Sequence, residues 1–214
     1  MAEDEELEAF KQWWKRNGQS ILFGLAIAAL AFAGWKYWEN RQAVAHAEAR
    51  QGFDSVIGTL SSDQETEKRL ATMEYSLDNL KDKYPDSPYS VYSAMIAAGV
   101  YMEEGDPEAA AGELQWALDQ AREQPLPRVI RLRLARAQFA SGDYEGVVET
   151  LQADGDAGEF TPLYRELLGD AQHAMGNDQA ARQAYQDAKD ALGEDSNDRL
   201  LELKLSDLAA PEAS

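Results

Sequence analysis

The sequence predicts an all-α protein in which one N-terminal membrane-spanning helix is followed by a solenoid of helical hairpins. Two observations support this prediction. A run of 19 residues near the N-terminus carries no charge, and glycine-containing turns recur 37 and 34 residues apart from residue 105 onwards. The 214 residues are enough for one sizeable folded domain beside a membrane segment.

The uncharged run lies between Arg16 and Lys36, and we assign the membrane helix to residues 19–38. About 20 helical residues span the ~30 Å hydrocarbon core of a bilayer. Aromatic residues, which prefer the headgroup region, flank the run on both sides: Trp13, Trp14, Trp35, Tyr37 and Trp38. The pattern favours a membrane helix over the buried helix of a soluble core, because core helices are seldom apolar on every face.

A cleaved signal peptide is the competing interpretation of this segment. Ala31-Phe32-Ala33 resembles the small-x-small pattern of a cleavage site. The apolar run reaches this pattern without a polar break, and the aromatic sequence GWKYW at 34–38 follows at once. An uncleaved anchor is therefore favoured, with residues 1–18 as a tail on the other side of the membrane.

The basic residues beside the membrane helix give only a weak orientation signal. Three lie closely before it (Lys11, Lys15 and Arg16), and three follow it more sparsely (Lys36, Arg41 and Arg50). The positive-inside rule counts these residues and gives little weight to Asp and Glu. It therefore slightly favours a cytoplasmic N-terminus.

Composition and motifs argue against several classes of function. The chain has 39 acidic and 20 basic residues, a net charge of −19, which would repel nucleic acid. It contains no cysteine, and its two histidines, His46 and His173, have no partner at metal-ligand spacing. No nucleophile elbow, Walker loop or dinucleotide fingerprint occurs. We therefore expect no enzyme activity, no metal and no cofactor.

The soluble domain is predicted to occupy residues 39–208. Residues 39–60 are alanine-rich and continue the membrane helix, and Ser61-Ser62-Asp63 is a stop-and-cap signal. Residues 67–83 form a second helix, which Pro85 and Pro88 end because proline cannot continue an α-helix.

The rest of the domain is repetitive, and one glycine-containing turn occurs in each repeat: Gly105-Asp106, Gly142-Asp143 and Gly176-Asn177. Glycine accepts the positive φ that ends one helix, and Asp or Asn caps the next. Small residues recur around each turn and a larger residue follows one helical turn later: Ala98, Ala110 and Leu114; Ala135, Val147 and Leu151; Gly169, Ala181 and Tyr185. Small side chains at these positions let the two helices of a hairpin approach closely.

A helix–turn–helix of about 34 residues with this pattern resembles the tetratricopeptide repeat. The resemblance places repeats near 91–124, 128–160 and 162–195. The C-terminal leucines predict a last helix at 197–208, which would cap the exposed apolar face of the stack, and residues 209–214 are expected to form a flexible tail. Asp154, Gly155 and Gly158 predict a short second helix in the middle repeat. An ordinary antiparallel helical bundle with accidental spacing is the alternative.

Repeats of this kind offer a groove lined by the first helix of each hairpin. The usual pattern predicts a protein-binding groove formed by Tyr92, Met95, Met102, Val129, Leu132, Arg136, Phe139 and Leu163. Apolar and methionine-containing surfaces suit adaptable binding of apolar segments. The alternative is that helix 39–60 buries these residues.

Four arginines, Arg128, Arg131, Arg133 and Arg136, form the one basic cluster in the acidic domain. Helical spacing places Arg128 and Arg131 on one face and Arg133 and Arg136 on another. Salt bridges to neighbouring acidic helices are the favoured explanation, and an anion-binding site is the alternative.

The chain as a whole is similar to the YfgM-type ancillary subunits of the bacterial Sec translocon. The similarity is carried by WWKRNG at 13–18, GWKYWENRQ at 34–42, IRLRLARAQ at 130–138, LLGDAQHAMGNDQAARQAY at 167–185 and LELKLSDL at 201–208. It implies a single-pass inner-membrane protein with a cytoplasmic N-terminus and a periplasmic repeat domain. It also implies three kinds of partner: Sec translocon subunits, a membrane-anchored periplasmic chaperone of the prolyl-isomerase type, and unfolded exported polypeptides.

The family resemblance predicts a membrane-anchored interaction module that helps pass exported polypeptides to periplasmic chaperones. The alternative is a cell-envelope scaffold, acting in division or outer-membrane assembly, that makes no contact with export substrates.

Overall fold

The structure is a computed structural model and describes residues 2–62, 65–122, 125–153, 157–192 and 199–208. These residues form α-helices, one 3₁₀ turn at Gly158–Phe160, and no strand, so the predicted all-α class is confirmed. The helices are α1 (Ala2–Leu60), α2 (Thr66–Lys83), α3 (Pro88–Glu104), α4 (Pro107–Gln120), α5 (Leu126–Ser141), α6 (Tyr144–Gln152), α7 (Thr161–Ala174), α8 (Asp178–Leu192) and α9 (Arg199–Asp207). The predicted roles of Asp63, Asp154, Gly155 and the tail 209–214 lie outside the described residues.

The chain divides into two compact units, Met1–Glu48 and Ala49–Ser214. The first unit contains most of α1, and every side chain from 22 to 38 is exposed. In the part of the chain that the structure describes, one helix is long and apolar enough to cross a membrane, and it lies within Phe10–Leu60. Because every side chain of its apolar run from 22 to 38 is exposed, the interpretation as the core helix of a soluble domain is wrong.

The first two helix ends fall where the sequence predicts them. Helix α1 continues through residues 39–60 and ends at Leu60, directly before Ser61 and Ser62. Helix α2 ends at Lys83, and the backbone N–H of Tyr84 donates a hydrogen bond to the Leu80 carbonyl at 2.8 Å. Pro85 then prevents the helix from continuing.

Among the described residues of the second unit there are three helical hairpins, each turning at one of the predicted glycines. Gly105 and Gly142 have φ of 83° and Gly176 has φ of 79°, values that glycine adopts without the steric cost of a Cβ atom. After two of these turns an aspartate caps the next helix. Asp106 Oδ1 accepts a hydrogen bond from the Ala109 N–H, and Asp143 Oδ1 accepts one from the Gly146 N–H, both at 3.0 Å.

The nine recurring small and large positions of the hairpins are all buried: Ala98, Ala110 and Leu114; Ala135, Val147 and Leu151; Gly169, Ala181 and Tyr185. From α2 to α9, each helix packs mainly on its immediate neighbours along the chain. The core is accordingly a row of three apolar clusters, as in a solenoid. The middle hairpin has the expected short second helix, since α6 has only nine residues.

The two ends of this row are covered differently. At one end the last turns of α1 pack on α2 and α3, where a Cβ on Gly52 would lie 2.7 Å from Leu80 Cδ2 and the rings of Phe53 and Tyr89 are 5.6 Å apart. At the other end α9 buries Leu201 in the same cluster as Tyr185 of α8.

Candidate protein-binding face

The first helix of each hairpin keeps one side in contact with solvent. On α5 this side comprises Val129, Arg133, Arg136 and Ala140, whose spacings of four, three and four residues follow one helical face. The equivalent positions are Tyr92, Ile96, Gly99 and Glu103 on α3, and Leu163, Leu167, Asp170 and Ala174 on α7. All twelve are exposed or half-buried, and we call them the first-helix face.

The structure separates the eight predicted groove residues into three environments. Tyr92, Met102, Arg136 and Leu163 are exposed; Val129 and Phe139 are half-buried; Met95 and Leu132 are in the core, at 9% and 5% exposure. Met95 and Leu132 occupy the same position in consecutive repeats, three residues before Ala98 and Ala135, and both point into their hairpins. A binding role for the eight residues stays a prediction, and the buried pair contributes to stability.

Ile96 and Arg133 belong to the first-helix face but are absent from the predicted groove. Both follow the face residue of the previous turn by four positions, after Tyr92 and Val129 respectively. A step of four residues from Tyr92 on α3 and from Val129 on α5 would have included them. The repeat pattern used for the prediction favoured the neighbouring, buried position instead.

A lysine from α9 contacts two acidic side chains of α7 and compensates part of their charge. The Lys204 ammonium lies 2.7 Å from Glu166 Oε1, and 2.7 and 2.9 Å from the two carboxylate oxygens of Asp170. It also lies 5.5 Å from the centre of the Tyr185 ring, within cation–π range. The Tyr185 hydroxyl donates to Asp170 Oδ1 at 2.8 Å. We call Glu166, Asp170, Tyr185 and Lys204 the cap cluster.

Two protonation equilibria are shifted in the cap cluster. Burial, followed by the hydrogen bond to Asp170, raises the pKa of the Tyr185 hydroxyl well above its ordinary value of about 10. Burial alone would lower the pKa of the Lys204 ammonium, but the hydrogen bonds to Asp170 and Glu166 outweigh it and raise that pKa. At neutral pH the lysine is therefore charged and the tyrosine is neutral.

The arginines of α5 fall into two groups. Arg128 and Arg131 are half-buried; the Arg128 guanidinium lies close to Gly158, and the Arg128 carbonyl accepts a hydrogen bond from the Tyr164 hydroxyl. Arg133 and Arg136 are exposed, and neither forms an ion pair with any described residue. For this second pair the predicted salt bridges to neighbouring helices are wrong, because both side chains lie on the solvent-exposed side of α5.

His173 lies at the protein surface. Its Nδ1 atom lies 2.8 Å from Asp178 Oδ1, and both side chains are more than half exposed. Within the described ranges, no group of three or more histidine, aspartate or glutamate side chains is arranged to hold a metal ion.

Comparison with known proteins places the chain among helical repeat proteins over nearly its full length. A family model described as "Tetratricopeptide repeat-like domain" matches residues 11–210, a range that includes the apolar part of α1 as well as the hairpins. The match covers well over half of the chain.

Curated relatives of similar length share this organisation. A protein of Haemophilus influenzae is 28% identical over 207 residues, covering 96% of this chain and 97% of the relative. Proteins of Neisseria gonorrhoeae and Escherichia coli are 26% and 24% identical, and each alignment covers at least 97% of both chains. All three are named "Ancillary SecYEG translocon subunit", which confirms the resemblance noted from the sequence. On the family match, the chain belongs to the tetratricopeptide repeat-like domain family.

Proposed function

We propose that this protein is a membrane-anchored interaction module that associates with the SecYEG translocon. The observation that carries the proposal is the full-length similarity to relatives named as ancillary subunits of that translocon. The similarity extends through the membrane helix and the hairpins in the same order, and not through the repeats alone. We propose further that the first-helix face receives exported polypeptides and helps transfer them to periplasmic chaperones, including a membrane-anchored one of the prolyl-isomerase type.

The physical basis of this role is tethering combined with an open face. Tyr92 and Leu163 of the first-helix face, together with the exposed Met102 on the same helix as Tyr92, give adaptable contacts to extended apolar segments. Such contacts are individually weak. An anchor that holds the face close to the channel raises the effective concentration of both partners, so that modest affinity is enough.

The proposed topology has residues 1–18 in the cytoplasm, the helix 19–38 uncleaved in the inner membrane, and residues 39–208 in the periplasm. A reporter that is active only in the periplasm, fused after Ser214, is expected to be active. The product should also keep its N-terminal residues. An inactive but stable full-length fusion would show that the orientation is the reverse. A product starting near Trp35 would show that the segment is a cleaved signal peptide and not an anchor.

The translocon association is tested by site-specific photo-crosslinking in cells. A photoreactive residue at Tyr92 should crosslink to channel subunits or to exported chains. The matched control is Tyr75 on α2, a tyrosine that is even more exposed (73% against 44%) but lies outside the first-helix face. Crosslinks from Tyr92 to division or outer-membrane assembly proteins, with no channel subunit or exported chain, would favour the cell-envelope scaffold instead.

The contribution of the face is tested by Tyr92→Glu and Leu163→Glu, with Tyr75→Glu as the control. Because all three side chains are exposed, the substitutions should leave the helical content unchanged. The first two should reduce recovery of the translocon in a mild-detergent pull-down, and the third should not. Equal recovery of the translocon with all three variants would mean that the first-helix face does not contribute to the association. Met95 is unsuitable for this test, because a buried glutamate would unfold the domain.

A further inference from the structure

We infer that the N-terminal flank of the membrane helix, residues 7–17, holds an anionic phospholipid whose phosphate is bound by Lys11 and Lys15 and whose glycerol region contacts the aromatic rings beside them. This inference goes beyond the proposed function and does not depend on it. It rests on three features of α1: a groove that aromatic and basic side chains share, the height of this groove above the hydrocarbon region, and the difference in charge between the two ends of the span.

A row of aromatic rings lies along one side of this flank. Phe10 stacks with Trp13 and Trp14, at distances of 6.0 and 6.4 Å between ring centres. The Trp14 indole also covers the backbone of Gly18, where an added Cβ atom would lie 3.1 Å from the ring. The rings therefore support one another, yet all three remain exposed. Together they form an apolar surface outside the membrane span, and such a surface is typical of an interaction site.

Two lysines border this aromatic surface. Lys11 and Lys15 are four residues apart, so they lie one above the other on the same helical face. With Phe10 and Trp14 they line an open groove. An ammonium group offers three hydrogen-bond donors and a compact positive charge to phosphate oxygens. The groove thus combines a basic edge with an apolar wall, which matches the phosphate and the glycerol region of a phospholipid.

The groove lies at the level of the phospholipid headgroups. The proposed membrane helix begins at residue 19, and a rise of about 1.5 Å per residue places Lys15 about 6 Å and Lys11 about 12 Å outside the hydrocarbon region. The headgroup region is about 5–8 Å thick on each side, and a long lysine side chain can extend along the helix towards it. Glu8 lies about 10 Å beyond Lys15, which exceeds the screening length of about 8 Å at physiological ionic strength.

The two ends of the span differ in charge, and the difference favours an anionic lipid at the N-terminal end. Residues 11–18 contain three basic residues and no acidic one, whereas residues 36–43 contain two basic residues and one acidic residue. At that other end the Lys36 ammonium is paired with Glu39 at 2.9 Å. Each basic residue close to an anionic surface strengthens binding roughly fivefold. A zwitterionic headgroup would instead bring its own cation towards the lysines.

The test uses the full-length protein in nanodiscs that contain equal amounts of phosphatidylglycerol and phosphatidylcholine with the same acyl chains. Native mass spectrometry of the released protein gives the ratio of the two lipids that stay bound. The variant is Lys11→Gln with Lys15→Gln. One control, Lys36→Gln with Arg41→Gln, removes the same charge from the other end of the span. A second control, Lys11→Gln with Gln12→Lys, keeps the charge and moves one ammonium group about 100° around the helix.

We expect the wild type to retain phosphatidylglycerol in preference to phosphatidylcholine. Removal of both lysines should reduce this preference at least about fivefold, and the control at the other end should change it by less than about twofold. Moving the ammonium group from position 11 to position 12 should reduce the preference as much as Lys11→Gln alone, because the moved group no longer lines the groove. Circular dichroism of every variant should match the wild type, since all the substituted side chains are exposed.

The absence of a preference in the wild type, or an equal loss in both charge-removing variants, would overturn the lipid site. Full preference in the variant with the moved ammonium group would also overturn it, because attraction would then depend on net charge and not on the groove. An excess of inorganic phosphate, compared with sodium chloride at equal ionic strength, should leave the preference unchanged. A loss specific to phosphate would mean that the site binds a free anion and not a lipid. The translocon association is tested separately, by crosslinking from Tyr92.

Discussion

Replacing Lys204 by methionine should loosen the attachment of α9 to the rest of the domain. Lys204 is the cation of the cap cluster and joins α9 to Glu166 and Asp170 of α7. Methionine keeps most of the apolar stem and removes the ammonium group. The substitution therefore leaves two half-buried carboxylates without their counter-charge and removes the contact with the Tyr185 ring.

The size of the effect follows from the burial of the three side chains. Breaking a fully buried ion pair by removing one partner costs about 3–5 kcal/mol. Lys204, Glu166 and Asp170 keep 22%, 21% and 27% of their side-chain surface exposed, so water compensates part of the loss. We expect a decrease of about 2 kcal/mol in the free energy of unfolding, which for a chain of this size lowers Tm by about 4–8 °C.

The matched control is Lys189→Met. Lys189 pairs with Glu202 at 3.2 Å and also connects α9 to a neighbouring helix, but its side chain is 44% exposed and that of Glu202 is 55% exposed. An exposed pair contributes at most about 1 kcal/mol. Thermal melts of the full chain in detergent, followed by circular dichroism, give the global effect, and amide hydrogen exchange along α9 shows whether this helix opens first.

Two results would contradict this account of the cap cluster. If Lys204→Met changed Tm by no more than Lys189→Met does, partial burial would not strengthen the lysine contacts. If Tm fell but exchange along α9 stayed at the wild-type rate, the lysine would stabilise the hairpins without holding α9.

Two further predictions concern neighbouring residues. Because its pKa is raised on folding, Tyr185 contributes stability that is complete below about pH 10 and is lost as the pH rises further. In urea unfolding between neutral pH and pH 11, the free energy of unfolding should therefore fall less steeply in Tyr185→Phe than in the control Tyr75→Phe. Equal falls in the two variants would mean that Tyr185 does not cause the loss of stability at alkaline pH. Gly169→Ala should destabilise by about 1–3 kcal/mol because the added Cβ would fall on the Tyr185 ring. Gly112→Ala, in open space on α4, should instead stabilise by about 0.5–1 kcal/mol, and a stabilising Gly169→Ala would mean that the ring moves aside freely.

The architecture was readable from the sequence because its signals are local. Positive φ at a helix end favours glycine strongly, so Gly105, Gly142 and Gly176 mark the turns by residue type alone. Pro85 also marks a helix end by residue type alone, because proline lacks the backbone N–H that a continuing helix needs. The uncharged run before Lys36 indicates a membrane helix by length and composition.

The candidate face could be predicted from the sequence only in part. Tyr92, Arg136 and Leu163 are exposed as a groove requires, whereas Met95 and Leu132 are buried. All five lie on the first helices of hairpins, and the exposed and buried positions are separated by only a fraction of a turn around the helix axis. A periodic pattern identifies the helix but leaves its rotation about its own axis to the packing of neighbouring helices.

The sequence by itself determined an all-α chain with one membrane-length helix, three hairpins and an acidic surface, because composition and turn chemistry act over a few neighbouring residues. The tertiary structure decided which residues meet across the chain. Lys204 reaches Asp170 only because α9 folds back on α7 and α8, and Gly169 matters only because Tyr185 lies above it. The same packing leaves Arg133 and Arg136 facing solvent without a described carboxylate. Contacts between residues far apart in the chain depend on how helices pack, and no local pattern encodes that arrangement.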